Sequence, residues 1–233
     1  MWSGPRNIST AMMRAWENRE DTQVVDEPFY AHFLHATGLD HPMAEAIVAA
    51  GETDWRAVVE RLIVPPETGV LYQKHITTHW LEHVDTGWLD ALEHVFLIRE
   101  PEPVVASYLA KRGTATASDL GYARQAALFD HVGTSRGDPP PVIDSARFLA
   151  DPEGQLRTLC ARLDLPFDPA MLAWPPGSRA SDGLWGAHWY DAVNRSNGFA
   201  PPRETPDVVL PDAGRRTADA CRPHYEALAR HAI

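Results

Sequence analysis

The chain of 233 residues predicts an α/β fold: three layers, a mostly parallel sheet with helices on both faces, in one domain. Short apolar runs alternate with segments of helical spacing over most of the length. The clearest of these runs, His94–Arg99 (HVFLIR), has four apolar residues in succession, as a strand buried on both faces requires. No internal repeat or low-complexity segment is visible, and the proline-rich stretches are too short to separate domains.

Taken in order, Met1-Trp2 offers almost no strand before a turn at Gly4-Pro5, after which Ser9-Thr10 can open a helix through Ala11, Met12, Ala15 and Trp16. Thr22–Val25 reads as a short strand, closed by Asp26-Glu27-Pro28. Residues 42–63 show helical spacing with an interruption at Gly51, and Gly69–Lys74 is a strand. Leu89–His94 leads toward the strand His94–Arg99, which Glu100-Pro101-Glu102-Pro103 ends. Helices are expected over Val104–Lys111, Tyr122–His131 and Leu156–Leu163, with a short strand at Pro141–Asp144. Residues 164–214, rich in Pro, Gly and Trp, read as irregular, and a last helix covers about Arg216–Ala232.

A formal charge of −11 argues against nucleic acid or a sulfated polysaccharide as the main partner, since long-range repulsion slows their encounter. It still permits a few arginines in a cleft to hold a small anion. Two cysteines, Cys160 and Cys221, make no disulfide framework and suit a reducing compartment, and no apolar run is long enough to cross a bilayer. A cytoplasmic protein acting on small molecules is the expectation, with no nucleic acid and no membrane as partner. No Cys/His grouping has metal-ligand spacing, so no metal is expected.

Two segments carry chemistry. In Ser3-Gly4-Pro5-Arg6-Asn7-Ile8-Ser9-Thr10 a strand–turn–helix entry aims backbone N–H groups, a helix dipole and two hydroxyls at one point, and Arg6 adds a fixed charge with a planar fork of donors. An anion suits that point. The plain alternative is a hydroxyl that caps a helix beside a solvated arginine. In the second segment Arg99 ends the buried strand, where open parallel sheets gather ligands, and Ser107 follows eight residues later on a helix. Its plain alternative is an Arg99 paired with Glu100 or Glu102 and a serine bonded to its own helix.

WSGPRNISTAMM and VFLIREPEPVVASY, in that order, resemble the two phosphate motifs of the PAPS-dependent sulfotransferase family, in particular its small bacterial cytosolic members. PAPS is 3′-phosphoadenosine-5′-phosphosulfate. The likeness continues through IDSARFLADPEGQLRTLCARLDLPFDPAMLAWPPG and the Gly/Trp-rich DGLWGAHWYDAVNRSNGF, and so spans most of the chain. It implies a P-loop-type sheet, PAPS as co-substrate with PAP as product, and transfer of a sulfuryl group to a hydroxyl or amine of a small-molecule acceptor. Arg6, Asn7, Ile8, Ser9 and Thr10 would then hold the 5′-phosphosulfate, and Arg99 and Ser107 the 3′-phosphate. Two departures stand out: Arg6 replaces the family's lysine, and the chain starts where the family has several apolar residues before the turn, so an incomplete start is expected.

For the acceptor's proton, LYQKHITTHW offers Lys74, His75 and His79. The family's histidine close behind a lysine favours His75 as base, with His79 and Glu27 as further candidates. Lys74 and His75 are adjacent, and on a strand only one of them can face the sulfate. Any one of 11 histidines can equally be structural. Trp185, Trp189 and Tyr190 could stack on the adenine or wall the acceptor pocket, or fold into a satellite core. Glu27, Phe29, Tyr30, His32 and His79 would shape the acceptor pocket by analogy with the family.

Two other readings compete. A nucleotide kinase-like P-loop phosphotransferase needs a Walker lysine followed by a hydroxyl for magnesium, and the turn has neither. A catalytically decayed PAP- or PAPS-binding protein would keep the phosphate turns without turnover.

Overall fold

The computed structural model describes residues 1–66, 69–201 and 209–233. Along the chain come β1 (Trp2–Ser3), α1 (Ser9–Glu17), β2 (Thr22–Asp26), α2 (Tyr30–Thr37), α3 (Ala44–Ala50), α4 (Trp55–Leu62) and β3 (Val70–Ile76). Single 3-10 turns at Thr77–His79 and Gly87–Ala91 lead to β4 (Phe96–Ile98), α5 (Pro101–Arg112), α6 (Ala117–Leu120) and α7 (Tyr122–Arg136). Then follow β5 (Val142–Asp144), α8 (Ser145–Ala150), α9 (Pro152–Arg162), a 3-10 turn at Pro169–Leu172, α10 (Gly186–Trp189), α11 (Asp191–Asn194) and α12 (Asp212–Ala229).

Contacts divide the chain into two compact units, one of Met1–Ser9, Glu93–Phe167 and Ala200–Ile233, the other of Thr10–Leu92 and Asp168–Phe199. In the first, β1 pairs in parallel with β4, and β4 with β5. Phe96, Leu97 and Ile98 are all buried, which explains the unbroken apolar run. Gln125 of α7 donates from its amide to the carbonyls of Trp2 and Leu97, satisfying two backbone acceptors at once. One core gathers Val104, Val105, Tyr108, Leu120, Tyr122, Ala218 and Cys221 between α5, α6, α7 and α12.

In the second unit β2 and β3 pair in parallel from Thr22 opposite Val70 to Asp26 opposite Lys74. Trp16 of α1 stacks on Tyr72 at 5.5 Å, and α2 and α3 enclose a smaller core of Tyr30, Phe33, Leu34 and Ile47. Every strand pairing within each unit is parallel, and helices follow the strands, in agreement with the α/β class.

Several boundaries differ from expectation for identifiable reasons. Helix α5 starts at Pro101 rather than Val104, because a proline fits a first turn whose N–H would be unpaired anyway. Helix α8 was not anticipated; Asp144 nucleates it by accepting the N–H groups of Ala146 and Arg147. Strand β3 runs on to Ile76, and Arg99 lies one residue past β4. Among its described residues the stretch 164–214 holds only short helical turns before α12 begins at Asp212; residues 202–208 lie outside the described residues.

Candidate active site

The N-terminal turn is built under steric constraint. A side chain on Gly4 would place its Cβ 2.9 Å from the carbonyl oxygen of Leu120, so only glycine fits the bend. Arg6 takes the left-handed conformation at φ 57°, a costly one for a non-glycine residue and one that recurs at functional sites. Asn7 braces the turn: its amide donates to the Leu97 carbonyl at 3.1 Å and its oxygen accepts the Ile8 N–H at 2.9 Å. Ile8 thus gives its own N–H to the brace. Ser9 and Thr10 open α1, whose first turn carries no acidic side chain to oppose an anion.

The second motif meets the first. Arg6 Nε donates to Ser107 Oγ at 2.9 Å, and Arg99 Nη1 donates to the Arg6 carbonyl at 3.0 Å. The Tyr122 hydroxyl donates to the Arg99 carbonyl at 2.8 Å and fixes the chain just past β4. Neither plain alternative holds for this motif: Glu102 pairs with Arg222 instead of Arg99, and Ser107 accepts from Arg6. Burial lowers both guanidinium pKa values, and for Arg6 the charge of Arg99 adds to that, so two half-buried cations share one place. An anion relieves both costs.

The other unit holds a different grouping. Because Asp26 pairs with Lys74 in the parallel register, their side chains share one face of the β2–β3 ribbon. Lys74, 1% exposed, donates its three protons to Asp26 Oδ1 at 2.9 Å, to the Tyr190 hydroxyl at 2.9 Å and, in a short contact, to Glu27 Oε1. Tyr190 in turn donates to Asp26 at 2.8 Å and accepts the Trp185 indole N–H at 3.1 Å. The Gly183 N–H adds a further donor to Asp26 at 3.1 Å. Glu27 sits at φ 42°, a second strained position.

Burial opposes the charge of Lys74, yet Asp26 and Glu27 outweigh it and hold the ammonium well above its ordinary range. Burial raises the Glu27 carboxyl, with the charge of Asp26 pushing the same way and Lys74 opposing. His79 faces Glu27 Oε2 at 3.6 Å, beyond hydrogen-bond reach, and its Nδ1 has no hydrogen-bond partner among the described residues. Its ring stacks on Tyr30 at 4.3 Å and on Phe33 at 4.9 Å. Burial first, then the charges of His41 and Lys74, keep His79 well below its usual pKa, so the ring is neutral.

His75 lies on the opposite face of β3, where its Nε2 meets Gln73 Oε1 at 3.1 Å and its ring packs against Phe29 and Trp88. Since β3 does not end before Ile76, Lys74 and His75 cannot face the same way. Phe29 goes with His75, while Tyr30 stacks on the His79 ring that faces Glu27. His32 is engaged elsewhere, with the Thr53 carbonyl at 2.7 Å and His83 at 3.0 Å. Trp185 joins the lysine cluster and sets its edge against Tyr30 at 5.1 Å, whereas Trp189 packs against His188 at 4.6 Å. The sequence does not single out Asp26 as a site residue, and for Tyr190 it offers stacking on the adenine, a pocket wall or a satellite core, but not the bonds to Lys74 and Asp26. The acidic pair at a strand end was the available signal for Asp26.

Neither cysteine forms a disulfide and both are buried, no helix among the described residues is long and apolar enough to cross a membrane, and no group of His, Cys, Asp or Glu there is arranged to hold a metal ion. Two Arabidopsis thaliana proteins are similar in sequence. Branched-chain-amino-acid aminotransferase-like protein 2 is 33% identical over 231 residues and protein 1 is 35% identical over 231 residues, covering 99% of this chain in each case. The chain spans 41% of the length of either relative, so their names do not describe the matched part alone.

Among solved structures, a sulfotransferase domain from the curacin biosynthetic pathway matches with a TM-score of 0.53 at 15% identity, covering 95% of each chain. The sulfotransferase domain of the Synechococcus PCC 7002 olefin synthase gives 0.54 at 15% identity, covering 94% of this chain and 92% of that one. At such identities the likeness is one of fold, and it agrees with the α/β parallel-sheet class. The sulfotransferase-domain family model matches residues 1–232, and the chain therefore belongs to the sulfotransferase-domain family of transferases.

Proposed function

We propose that the chain moves a sulfuryl group from PAPS to a hydroxyl or amine of a small-molecule acceptor, in the cytoplasm and without a metal. The observation that carries this reading is the bond from Arg6 Nε to Ser107 Oγ, with Arg99 on the Arg6 carbonyl. It joins the two segments that resemble phosphate motifs, and their donors would suit a doubly phosphorylated nucleotide. Arg6 and the first turn of α1, with Ser9 and Thr10, would take the 5′-phosphosulfate, while Arg99 and Ser107 take the 3′-phosphate. Trp189 is the aromatic candidate for the adenine.

Transfer forms one bond from the acceptor's oxygen or nitrogen to sulfur and breaks the bond from sulfur to the 5′-phosphate oxygen. The charge that gathers on that oxygen would be met by Arg6. Glu27 is the group we assign to take the acceptor's proton, with Lys74 holding its carboxylate and Tyr30 and His79 shaping the acceptor pocket. Supporting Glu27 over His75 are its raised proton affinity, its strained backbone and the engagement of His75 with Gln73.

Incubation with PAPS and a metabolite panel, followed by mass spectrometry for the gain of one SO3, tests the reaction. Arg6→Ala should lower turnover on the order of a hundredfold or more. Unchanged turnover in that variant would remove Arg6 from the reaction. Binding of adenosine 3′,5′-bisphosphate that needs magnesium would favour a phosphotransferase, and binding without sulfation of any acceptor would favour a decayed enzyme.

A further inference from the structure

The segment from Arg179 to Asn194 lies against α1, β2 and β3 through a series of polar anchors. Asp182 pairs with Arg14 at 2.6 Å, Ser181 bonds Glu17, and the Gly183 N–H reaches Asp26. Its deepest insertion is the hydroxyl of Tyr190, buried at the junction of α10 and α11. That oxygen accepts from Lys74 and Trp185 and gives its single proton to Asp26, so its hydrogen-bonding capacity is filled.

Lys74 has three protons and three acceptors here, and Tyr190 is the only acceptor that does not come from the β2 end. Three donors converge on Asp26: Lys74, Tyr190 and Gly183. The phenol thus divides the ammonium's bonds evenly. Without it, Asp26 would lose a donor, Lys74 an acceptor and Glu27 Oε1 a hydroxyl at 3.4 Å. Glu27 Oε1 stays on Lys74 in the intact cluster, and Oε2 faces outward from it toward His79.

We infer that Tyr190 is a positioning residue for Glu27, acting through Lys74 and Asp26 and through its own hydroxyl 3.4 Å from Glu27 Oε1, so that the docked Arg179–Asn194 segment sets the carboxylate that receives the acceptor's proton. The role as base rests on the function proposed above; the positioning itself does not. The groups that face Glu27 are Asp26 from β2, Lys74 from β3, His79 from the turn after β3, and Tyr190. Of these, Tyr190→Phe changes only the last and keeps the ring that packs in its place.

The test is a carbon-13 titration of the protein labelled at glutamate carboxyls, with the Glu27 signal assigned by its loss in Glu27→Gln. In Tyr190→Phe the Glu27 midpoint should move to higher pH by roughly one unit, the size expected when a charge partner is loosened. Trp185→Phe, which removes a donor to the phenol and leaves both carboxylates their bonds, should move it less. An unmoved midpoint in folded Tyr190→Phe overturns the positioning role, since a purely structural tyrosine lowers stability without shifting that signal. Activity is read separately: if Glu27→Gln turns over as the native chain does, the base assignment fails while the titration still decides for or against Tyr190.

Discussion

Around Arg6 and Arg99 the hydrogen bonds run to a hydroxyl and a backbone carbonyl, whereas around Lys74 they run to two carboxylates and a phenol. Burial lowers the pKa of both guanidinium groups, and the charge of Arg99 adds to this at Arg6, so positive charge is costly there and an anion would offset it. The lysine cluster carries its own counter-charges and is complete as it stands. Under the proposed function the first region serves the ligand, and the second serves the fold and the acceptor's proton. Substitution should separate them.

The largest expected effect is on Lys74. Lys74→Met leaves Asp26 and Glu27 buried together without their cation, and should cost about 3–5 kcal/mol in urea unfolding. If the loss were near zero, the cluster would not be holding β2 against β3. Arg99→Ala belongs to the opposite class: stability should change little, while affinity for adenosine 3′,5′-bisphosphate in calorimetry falls about tenfold to a hundredfold, the worth of a charged hydrogen bond. Equal binding by this variant would erase the contrast between the two regions.

The smallest effect concerns His79. Because its folded pKa is held well below 6.5, the unfolded chain takes up a proton that the folded one refuses once pH drops under that value. Stability tied to this group is therefore complete above pH 6.5 and is lost as pH falls through the interval below it. His79→Phe keeps the stacking on Tyr30 and Phe33 and should recover about 1 kcal/mol for each unit of acidification in that interval. Parallel pH dependences in variant and native chain would show that His79 is not the refusing group.

The arginine turn was legible in the sequence because its information is local. Gly4, Pro5 and Arg6 stand next to the hydroxyls of α1, and a run such as FLIR announces both a buried strand and the charged residue just past its end. The lysine cluster was not, because it depends on register. Asp26 and Lys74 are 48 residues apart, and Tyr190 lies 116 beyond Lys74; no short window contains them. The choice between Lys74 and His75 turned on where β3 ends, and two further strand residues decided which side chain meets Glu27. Boundaries of that kind are set by pairing with β2 rather than by the residues' own preferences.

The backbone at Arg6 carries a consequence for how this protein could change over time. A left-handed conformation would suit glycine or asparagine better, by an amount on the order of 1 kcal/mol. Selection for heat resistance alone would therefore drift toward those residues at this codon and discard the guanidinium. Under the proposed function, ruggedness and chemistry pull in opposite directions at that position.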